Sequence, residues 1–305
     1  MPSSAAAATE LARIAASFGR LFYVRSCANA WPDRVAVTRG KRTDFCVGDE
    51  VEVRLIGPDQ AVIESLRPRR TALQRSDRWR SKLLAANVDQ AGIVVSGDPP
   101  FSEALLMRML IALESAGIGA ALIANKSDLV EAARAIAGRI AAYRALGYEV
   151  FEIAAGARPR EAREQLGTWL AGRTTLLIGQ SGMGKSTLVN TLVPDADLRT
   201  QAISAALSSG RHTTTFSRMF DVPGEVARDA RIVDTPGFQS FGLAHLSESQ
   251  RMHAMREFVP LLGRCRFNNC RHHDEPGCAI RDAASRGEID ALRYRLYLRI
   301  EDDAD

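Results

Sequence analysis

The chain has 305 residues, which is enough for two or three domains of about 100–200 residues each. Its composition, with 46% hydrophobic and 25% charged residues, is that of a globular protein, and it holds no apolar stretch approaching the roughly 20 residues that span a bilayer. A membrane-spanning apolar helix is therefore excluded. The net charge of +4 arises from a basic excess near the N-terminus.

The first 18 residues are rich in alanine and carry few charges. They lack the basic, apolar and cleavage-site segments of a secretory signal, and an organelle transit peptide is the alternative that remains open. We therefore predict a flexible or weakly helical tail over residues 1–18 and a cytoplasmic protein.

Short apolar runs separated by Pro, Gly and Asp turns follow this tail and predict strands. They lie at Leu21–Val24, Val35–Thr38, Val51–Leu55 and Val62–Leu66. About five short strands in about 50 residues favour an OB-type β-barrel over residues 19–70.

A basic run over residues 67–82 follows, and we predict that it is the linker leaving the barrel. Its basic residues are Arg67, Arg69, Arg70, Arg75, Arg78, Arg80 and Lys82. Such a run can bind the phosphate backbone of RNA, and the alternative is an ordinary solvated basic face.

From Ala91 onward strands alternate with helices, which indicates a parallel α/β sheet. The predicted strands are Ile93–Val95, Ala120–Ala124, Glu149–Ile153 and Thr175–Ile178, and the predicted helices span about 101–115, 130–146 and 160–170. We assign this domain to residues 71–243. The pattern then becomes helical, so a second, mostly helical domain is expected over residues 244–305.

A glycine-rich segment with the P-loop pattern, Gly-x-x-x-x-Gly-Lys-Ser, follows the strand Thr175–Ile178. Its glycines let backbone N–H groups curl around a polyphosphate at a helix N-terminus, while Lys185 reaches the β and γ phosphates and Ser186 ligates Mg²⁺. A chance match in a Gly/Ser turn is the alternative, and the strand-to-helix position disfavours it. The expected nucleotide-binding residues are Gly179, Gln180, Ser181, Gly182, Met183, Gly184, Lys185, Ser186 and Thr187.

The segment Asn125-Lys126-Ser127-Asp128, at the end of another predicted strand, selects the base. The Asp128 carboxylate can accept the N1–H and 2-amino protons of guanine, whereas adenine presents an acceptor there. Lys126 can cover the base and Asn125 can tie this loop to the P-loop. We therefore expect Asn125, Lys126, Ser127 and Asp128 to bind GTP, which disfavours a kinase or ATPase; alone, the pattern could be an N-cap turn.

Asp234-Thr235-Pro236-Gly237 follows the short predicted strand at residues 231–233. Asp234 can hold Mg²⁺ through water and the Gly237 amide can bond the γ-phosphate, although a Pro-Gly turn is the simpler alternative. A polar segment at residues 210–215 is expected to be a switch loop in which one of Thr213, Thr214 and Thr215 binds Mg²⁺. A solvated Ser/Thr loop is the alternative there.

Many GTPases orient the attacking water with a glutamine directly after Asp-x-x-Gly, but Phe238 occupies that position here. We therefore predict slow hydrolysis by the isolated protein. His212, in the switch segment, is the candidate catalytic residue, and Gln239 is a weaker one. The alternative is that His212 packs locally or contacts rRNA.

Cys265-x4-Cys270-x-His272-x5-Cys278 supplies three thiolates and one imidazole. Four such ligands with no open position suit one structural Zn²⁺ per chain, bound by Cys265, Cys270, His272 and Cys278. His273 is a possible substitute for His272. Unligated core cysteines or a catalytic zinc are the alternatives.

The order of the motifs is unusual, because the guanine-reading motif precedes the P-loop. In this order, and in the segments 85–89 (Ala-Ala-Asn-Val-Asp) and 276–280 (Pro-Gly-Cys-Ala-Ile), the chain resembles the RsgA/YjeQ family of circularly permuted GTPases, which act in small ribosomal subunit assembly. The resemblance covers nearly the whole chain beyond the N-terminal extension. Residues 151–155 depart from it, since a Ser-Ala motif that supports the guanine base is expected there.

The resemblance implies an OB barrel, a permuted GTPase domain and a zinc domain. It also implies hydrolysis of GTP to GDP that is stimulated by the 30S subunit, with 16S rRNA as a partner, no membrane contact and a monomeric state. The rival hypothesis is an RNA-binding protein that uses GTP only as a regulatory ligand. Measured GTP turnover with and without small ribosomal subunits separates the two.

Overall fold

Five strands close an N-terminal barrel in the computed structural model, which describes residues 9–40, 42, 44–77, 80–194, 196 and 216–302. The strands are β1 (Glu10–Phe18), β2 (Leu21–Ser26), β3 (Arg34–Thr38), β4 (Glu50–Leu55) and β5 (Gln60–Leu66). β1 pairs with both β2 and β4, β3 pairs with β2 and β5, and β4 pairs with β5, so the ring is complete. The predicted OB-type barrel is confirmed.

The prediction of a flexible or helical tail over residues 1–18 is wrong for Glu10–Phe18, which forms β1. The alanines that suggested a helix are small core residues of a strand, and Ala12 and Ala16 are almost fully buried beside Ile14. Pairing with β2 and β4 outweighs the intrinsic preference of alanine for helix. The barrel therefore begins with a strand that propensity alone does not reveal.

The predicted linker over 67–82 is also wrong, because this segment forms most of a hairpin of β6 (Ala72–Ser76) and β7 (Ser81–Ala86). The hairpin is held at its base by Asn87, whose side chain accepts from the Arg70 amide at 2.8 Å and donates to the Gly48 carbonyl at 3.0 Å. At the other end the Ser76 amide donates to the Gly242 carbonyl at 3.1 Å. The hairpin thus joins the barrel to the segment after the Asp-x-x-Gly motif.

The central domain is the predicted α/β sheet. Its strands are β8 (Gln90–Val95), β9 (Gly119–Ala124), β10 (Glu149–Glu152), β11 (Thr174–Gly179), β12 (Arg218–Asp221) and β13 (Arg231–Asp234), and its helices are α1 (Glu103–Ser115), α2 (Val130–Ala145), α3 (Pro159–Leu170) and α4 (Lys185–Leu192). The order is β10-β9-β8-β11-β13-β12, parallel except for β12. The predicted parallel sheet is confirmed.

The barrel and the central sheet share one continuous array of strands, because β1 pairs with β12 at Ala16 and Arg218. Phe18 stacks on Phe216 with ring centroids 4.9 Å apart, and the Arg218 guanidinium lies 5.4 Å from the Phe18 ring centroid. The first barrel strand is therefore part of the contact between the two domains.

Short helices follow the sheet: α5 (Glu248–His253), a 3-10 turn (Val259–Leu261), α6 (Ala279–Ser285) and α7 (Ala291–Asp302). Two arginines fix them to the central domain. The Arg293 guanidinium lies 5.1 Å from the Tyr143 ring centroid of α2 and is held there by a buried ion pair with Glu257, and Arg256 contacts Glu114 of α1 at 2.7 Å. No helix within the described ranges is both long and apolar enough to cross a membrane.

Candidate nucleotide site and metal centre

Three parallel strands end at the same edge of the central sheet, and a predicted motif follows each of them. β9 ends before Asn125, β11 runs into the P-loop at Gly179, and β13 ends at Asp234. Ligands of open α/β sheets bind at the carboxyl ends of the strands. The fold therefore brings the three motifs together although their order in the chain is permuted.

Gly184 of the P-loop is the N-cap of α4 and has a φ of 83°. This left-handed conformation favours glycine. The close packing also requires glycine at this position, because a Cβ added here would lie 2.4 Å from Asn125 Nδ2 and 3.6 Å from Lys126 Cε. The glycine therefore allows the guanine motif to rest directly on the P-loop.

Lys185 is 7% exposed and forms a direct ion pair with Asp234 through Nζ and Oδ1. Burial raises the pKa of Asp234, and the neighbouring Lys185 ammonium opposes that shift. Thr235 secures the strand end, since its Oγ1 donates to the Leu177 carbonyl at 3.0 Å. A phosphate-binding lysine and a metal-binding carboxylate thus lie side by side.

The Asp-x-x-Gly segment packs directly on the P-loop. The Phe238 amide donates to the Gly179 carbonyl at 3.0 Å, and the Ser181 amide donates to the Phe238 carbonyl at 3.4 Å. A Cβ on Gly237 would lie 2.9 Å from Ser181 Cα, so only glycine allows this approach. A shift of the Asp-x-x-Gly segment must therefore also shift the P-loop.

The side chain of Phe238 points into the protein interior and is 5% exposed. It packs on Phe241 with ring centroids 5.4 Å apart, and the Arg75 guanidinium lies 5.4 Å from its ring. Gln239 is exposed. The position that carries a water-orienting glutamine in many GTPases is here a core residue.

Asn125 is the centre of the guanine motif. Its Nδ2 donates to the Met183 carbonyl at 3.2 Å, as expected for a tie to the P-loop, and its Oδ1 accepts from the Ala155 amide at 3.0 Å. Ser127 Oγ accepts from Arg158 at 3.0 Å, and Asp128 is exposed. The Asp128 carboxylate is therefore open to a ligand.

Two neighbours of this motif were not foreseen. Ala155 lies in the segment that departs from the Ser-Ala pattern, yet its backbone amide holds Asn125; its position after β10 was the available signal. Lys126 Nζ donates to the Asp98 carbonyl at 2.6 Å, and no sequence motif marks that loop.

The remaining predicted nucleotide-site residues fall into two groups. His212, Thr213, Thr214 and Thr215 lie outside the described residues, so their roles stay predictions. Ser186 and Thr187 lie exposed on the first turn of α4.

A second site brings together Cys265, Cys270, His272 and Cys278, whose ligand atoms all lie within 4.8 Å of one another. His272 Nδ1 is 3.6 Å from Cys265 Sγ, 3.5 Å from Cys270 Sγ and 3.4 Å from Cys278 Sγ. The predicted ligand set converges, and this donor set suits a metal ion. His273 does not belong to the cluster.

The surrounding chain positions these ligands. Cys278 caps α6 and accepts from the Arg281 amide at 3.3 Å, while Glu275 accepts from the His273 amide at 3.0 Å. His272 adopts a φ of 68°, and its Nε2 lies 3.0 Å from Met252 Sδ. Burial raises the pKa of Cys278, so a bound cation would be needed to keep that thiol ionised.

Comparison with known proteins agrees with this geometry. "Small ribosomal subunit biogenesis GTPase RsgA" of Burkholderia pseudomallei (strain 668) is 48% identical over 293 residues, covering 96% of this chain and 91% of the relative. The protein of the same name from Paraburkholderia phytofirmans is 48% identical over 267 residues, covering 87% and 84%.

Solved structures match along almost the full chain. YjeQ from Thermotoga maritima has a TM-score of 0.72 at 25% identity, covering 97% of this chain and 99% of that one. YloQ, described as a circularly permuted GTPase, has a TM-score of 0.70 at 24% identity, with 100% and 98% covered, and shows likeness of fold. The family model described as RsgA GTPase matches residues 66–244. On the site geometry, this match and the identity to its relatives, the chain belongs to the RsgA GTPase family.

Proposed function

We propose that this GTPase acts in late maturation of the 30S ribosomal subunit and that the subunit stimulates its hydrolysis of GTP to GDP. The observation that carries the proposal is the convergence of Lys185, Asp234 and the Asn125–Asp128 loop at one sheet edge. The names of its relatives support the ribosomal role. The proposed partners are GTP, GDP, the 30S subunit and its 16S rRNA, and the proposed setting is a monomer in the cytoplasm.

Each group of site residues binds a different part of the nucleotide and its metal ion in this proposal. Asp128 reads the guanine edge, and the P-loop amides with Lys185 hold the phosphates. Ser186, Asp234 and one threonine of residues 213–215 would hold Mg²⁺, which would supply positive charge against the phosphates. Since Lys185 pairs with Asp234, nucleotide binding requires the ammonium to exchange part of this contact for phosphate oxygens.

Activation by a partner follows from the position of Phe238. Its side chain is buried against Phe241 and offers no hydrogen bond to water, so the free protein has a low rate. We assign the water-orienting role to His212, which a ribosomal partner would bring into place. A subunit that places the His212 side chain beside the attacking water would supply the hydrogen-bonding group that the Asp-x-x-Gly segment lacks.

We propose that the Cys/His cluster holds one structural Zn²⁺. A tetrahedral zinc with Zn–S of about 2.3 Å and Zn–N of about 2.0 Å separates nitrogen and sulfur ligands by roughly 3.5 Å. The three Nδ1–Sγ distances of 3.4–3.6 Å match that value. All four positions are filled by protein, which fits a structural rather than a catalytic role.

The zinc proposal has a direct test. Purified protein should contain about one zinc per chain by elemental analysis, and Cys270→Ser should lose it together with the stability of the C-terminal helices. Ser285→Ala, an exposed change on α6, is the matched control. Protein free of zinc after metal-restricted purification, and as stable as before, would overturn the assignment.

An RNA-binding role for the barrel and hairpin rests on the exposed basic residues, not on the whole arginine run. Arg69 is bound to the buried carboxylate of Asp49, and Arg70 is paired with Asp89 at 2.6 Å. Arg80 and Lys82 are exposed on the hairpin and suit contacts with phosphate. Replacing these two with Ala should weaken 30S binding and flatten its salt dependence without changing GTP affinity.

One experiment tests the main proposal. GTP turnover is measured alone, with purified 30S subunits and with 50S subunits, and co-sedimentation is followed with GDP, GTP and a non-hydrolysable analogue. We expect stimulation and nucleotide-dependent binding with 30S subunits only. Negligible turnover under all three conditions would favour the rival in which GTP is only a regulatory ligand.

A further inference from the structure

The loop at residues 96–102, which follows β8, contacts both halves of the nucleotide site although it belongs to no nucleotide-binding motif. Lys126 Nζ donates to the backbone carbonyl of Asp98 at 2.6 Å. At the other end of the loop, the Ser102 amide donates to Gln180 Oε1 of the P-loop at 2.9 Å. One loop therefore links the guanine motif to the P-loop.

Ser96 sets the shape of this loop. It is fully buried, and its Oγ donates to the Asp98 carbonyl and accepts from the Asp98 amide, both at 3.0 Å. The Ser96 carbonyl accepts from the Phe101 amide at 3.1 Å. A short side chain that bonds to backbone two residues further on fixes a turn. The direction of the Asp98 carbonyl is thus determined by Ser96.

The loop also has little space in which to shift. A Cβ on Gly97 would lie 2.0 Å from the Ala132 carbonyl of α2, and a Cβ on Gly182 would lie 3.1 Å from Pro99 Cγ. The turn is therefore packed between the first turn of α2, which follows the guanine motif, and the P-loop itself. Because the loop cannot shift, the Asp98 carbonyl can hold the long side chain of Lys126 in one position.

We propose that the loop at residues 96–102 positions the guanine base. Ser96 fixes the Asp98 carbonyl, and this carbonyl anchors the Lys126 ammonium so that the aliphatic stem of the lysine lies where the purine ring binds. Ser96 is a positioning residue in this arrangement, since it acts through Lys126. The inference rests on the proposed role of Lys126 in guanine binding.

The position of the loop determines which step it affects. It contacts the guanine motif and the start of the P-loop, whereas the γ-phosphate is read by Gly237 in the proposed site. Base anchoring contributes equally to GDP and GTP binding. Loss of the anchor should therefore raise the release rates of both nucleotides by the same factor, raise KM and leave kcat unchanged.

The test measures release of fluorescent GDP and of a fluorescent non-hydrolysable GTP analogue by stopped flow. Ser96→Ala should speed both about five-fold, the effect of losing roughly one hydrogen bond. Ser26→Ala is the matched control, because Ser26 is also buried and accepts from the Ala30 amide at 3.0 Å, but lies in the barrel. Unchanged release from a folded Ser96→Ala protein would overturn the inference.

A double-variant cycle separates positioning from general loosening. In a Lys126→Met background, adding Ser96→Ala should speed release no further, because the anchored group is already gone. Additive effects would refute an action through Lys126. If Ser96→Ala does not fold, Ser96→Cys keeps a side chain of the same shape that is only a weak donor and acceptor, and it should speed release of both nucleotides; unchanged release there would also refute the inference.

Failure of this inference differs from failure of the proposed function. Wild-type protein that does not bind guanine nucleotides would remove the proposed function itself. Wild-type binding and hydrolysis with normal release from the loop variants would leave that function intact and remove only the positioning role.

Discussion

Gly184→Ala perturbs the contact between the P-loop and the guanine motif at its tightest point. The new Cβ would lie 2.4 Å from Asn125 Nδ2, far inside van der Waals contact, so the Asn125 side chain must leave its place. It would then give up its hydrogen bonds to the Met183 carbonyl and from the Ala155 amide. The guanine loop would lose its support on both sides.

The expected loss in the free energy of unfolding is the sum of two contributions. A non-glycine residue at a φ of 83° costs about 1–2 kcal/mol. Two lost hydrogen bonds add about 2 kcal/mol, at roughly 1 kcal/mol each. A domain of this size loses about 2–4 °C in Tm per kcal/mol, so the sum of about 3–4 kcal/mol predicts a fall of roughly 6–16 °C.

Gly172→Ala is the control that shows the backbone cost alone. Gly172 has a φ of 70°, and nothing lies within 4 Å of an added Cβ. It should therefore show only the backbone cost of about 1–2 kcal/mol and normal guanine nucleotide affinity. Thermal unfolding and nucleotide titration of both variants are the assays. Equal Tm shifts, or unchanged GTP affinity of Gly184→Ala, would refute the reasoning.

Other predictions address single roles. Asp128→Asn should weaken GTP binding and favour xanthine nucleotides in competition assays, because the amide mismatches the guanine edge; retained guanine preference would contradict the assignment. His212→Ala should abolish most 30S-stimulated turnover while sparing GTP and 30S binding, whereas Gln239→Ala should matter much less; normal stimulation of the first variant would exclude its role. Arg69→Ala should destabilise the barrel by about 2–4 kcal/mol because it leaves the buried Asp49 carboxylate unpaired, while Arg67→Ala, which breaks an exposed pair with Glu52, should cost less than about 1 kcal/mol; similar denaturation midpoints would disprove this difference.

The chemistry-bearing segments could be predicted from sequence because each is local. The P-loop signals polyphosphate binding by glycines and a lysine at fixed spacing, and the metal site of this chain takes its Cys and His ligands from one short stretch. Spacing left His272 and His273 open as alternatives. The structure selects His272, whose positive φ turns its Nδ1 toward the three sulfur atoms.

The features that were missed depend on partners distant in sequence. β1 looked like an alanine-rich tail because its strand character comes from pairing with β2 and β4, and the hairpin of β6 and β7 was hidden by a run of charges. The contacts of Lys126 with the Asp98 carbonyl and of Asn125 with the Ala155 amide involve backbone atoms. Backbone groups are the same in every residue, so no pattern of side chains signals them.

The pairing of β1 with β12 has a consequence for any attempt to separate the domains. β12 is one of the two outermost strands of the central sheet, and an uncovered outer strand offers free N–H and C=O groups to other chains. Removing the N-terminal barrel would uncover it, and a shortened chain starting at β2 would also leave the barrel open at β4. We therefore expect the isolated GTPase domain to self-associate through β12 more readily than the whole chain does.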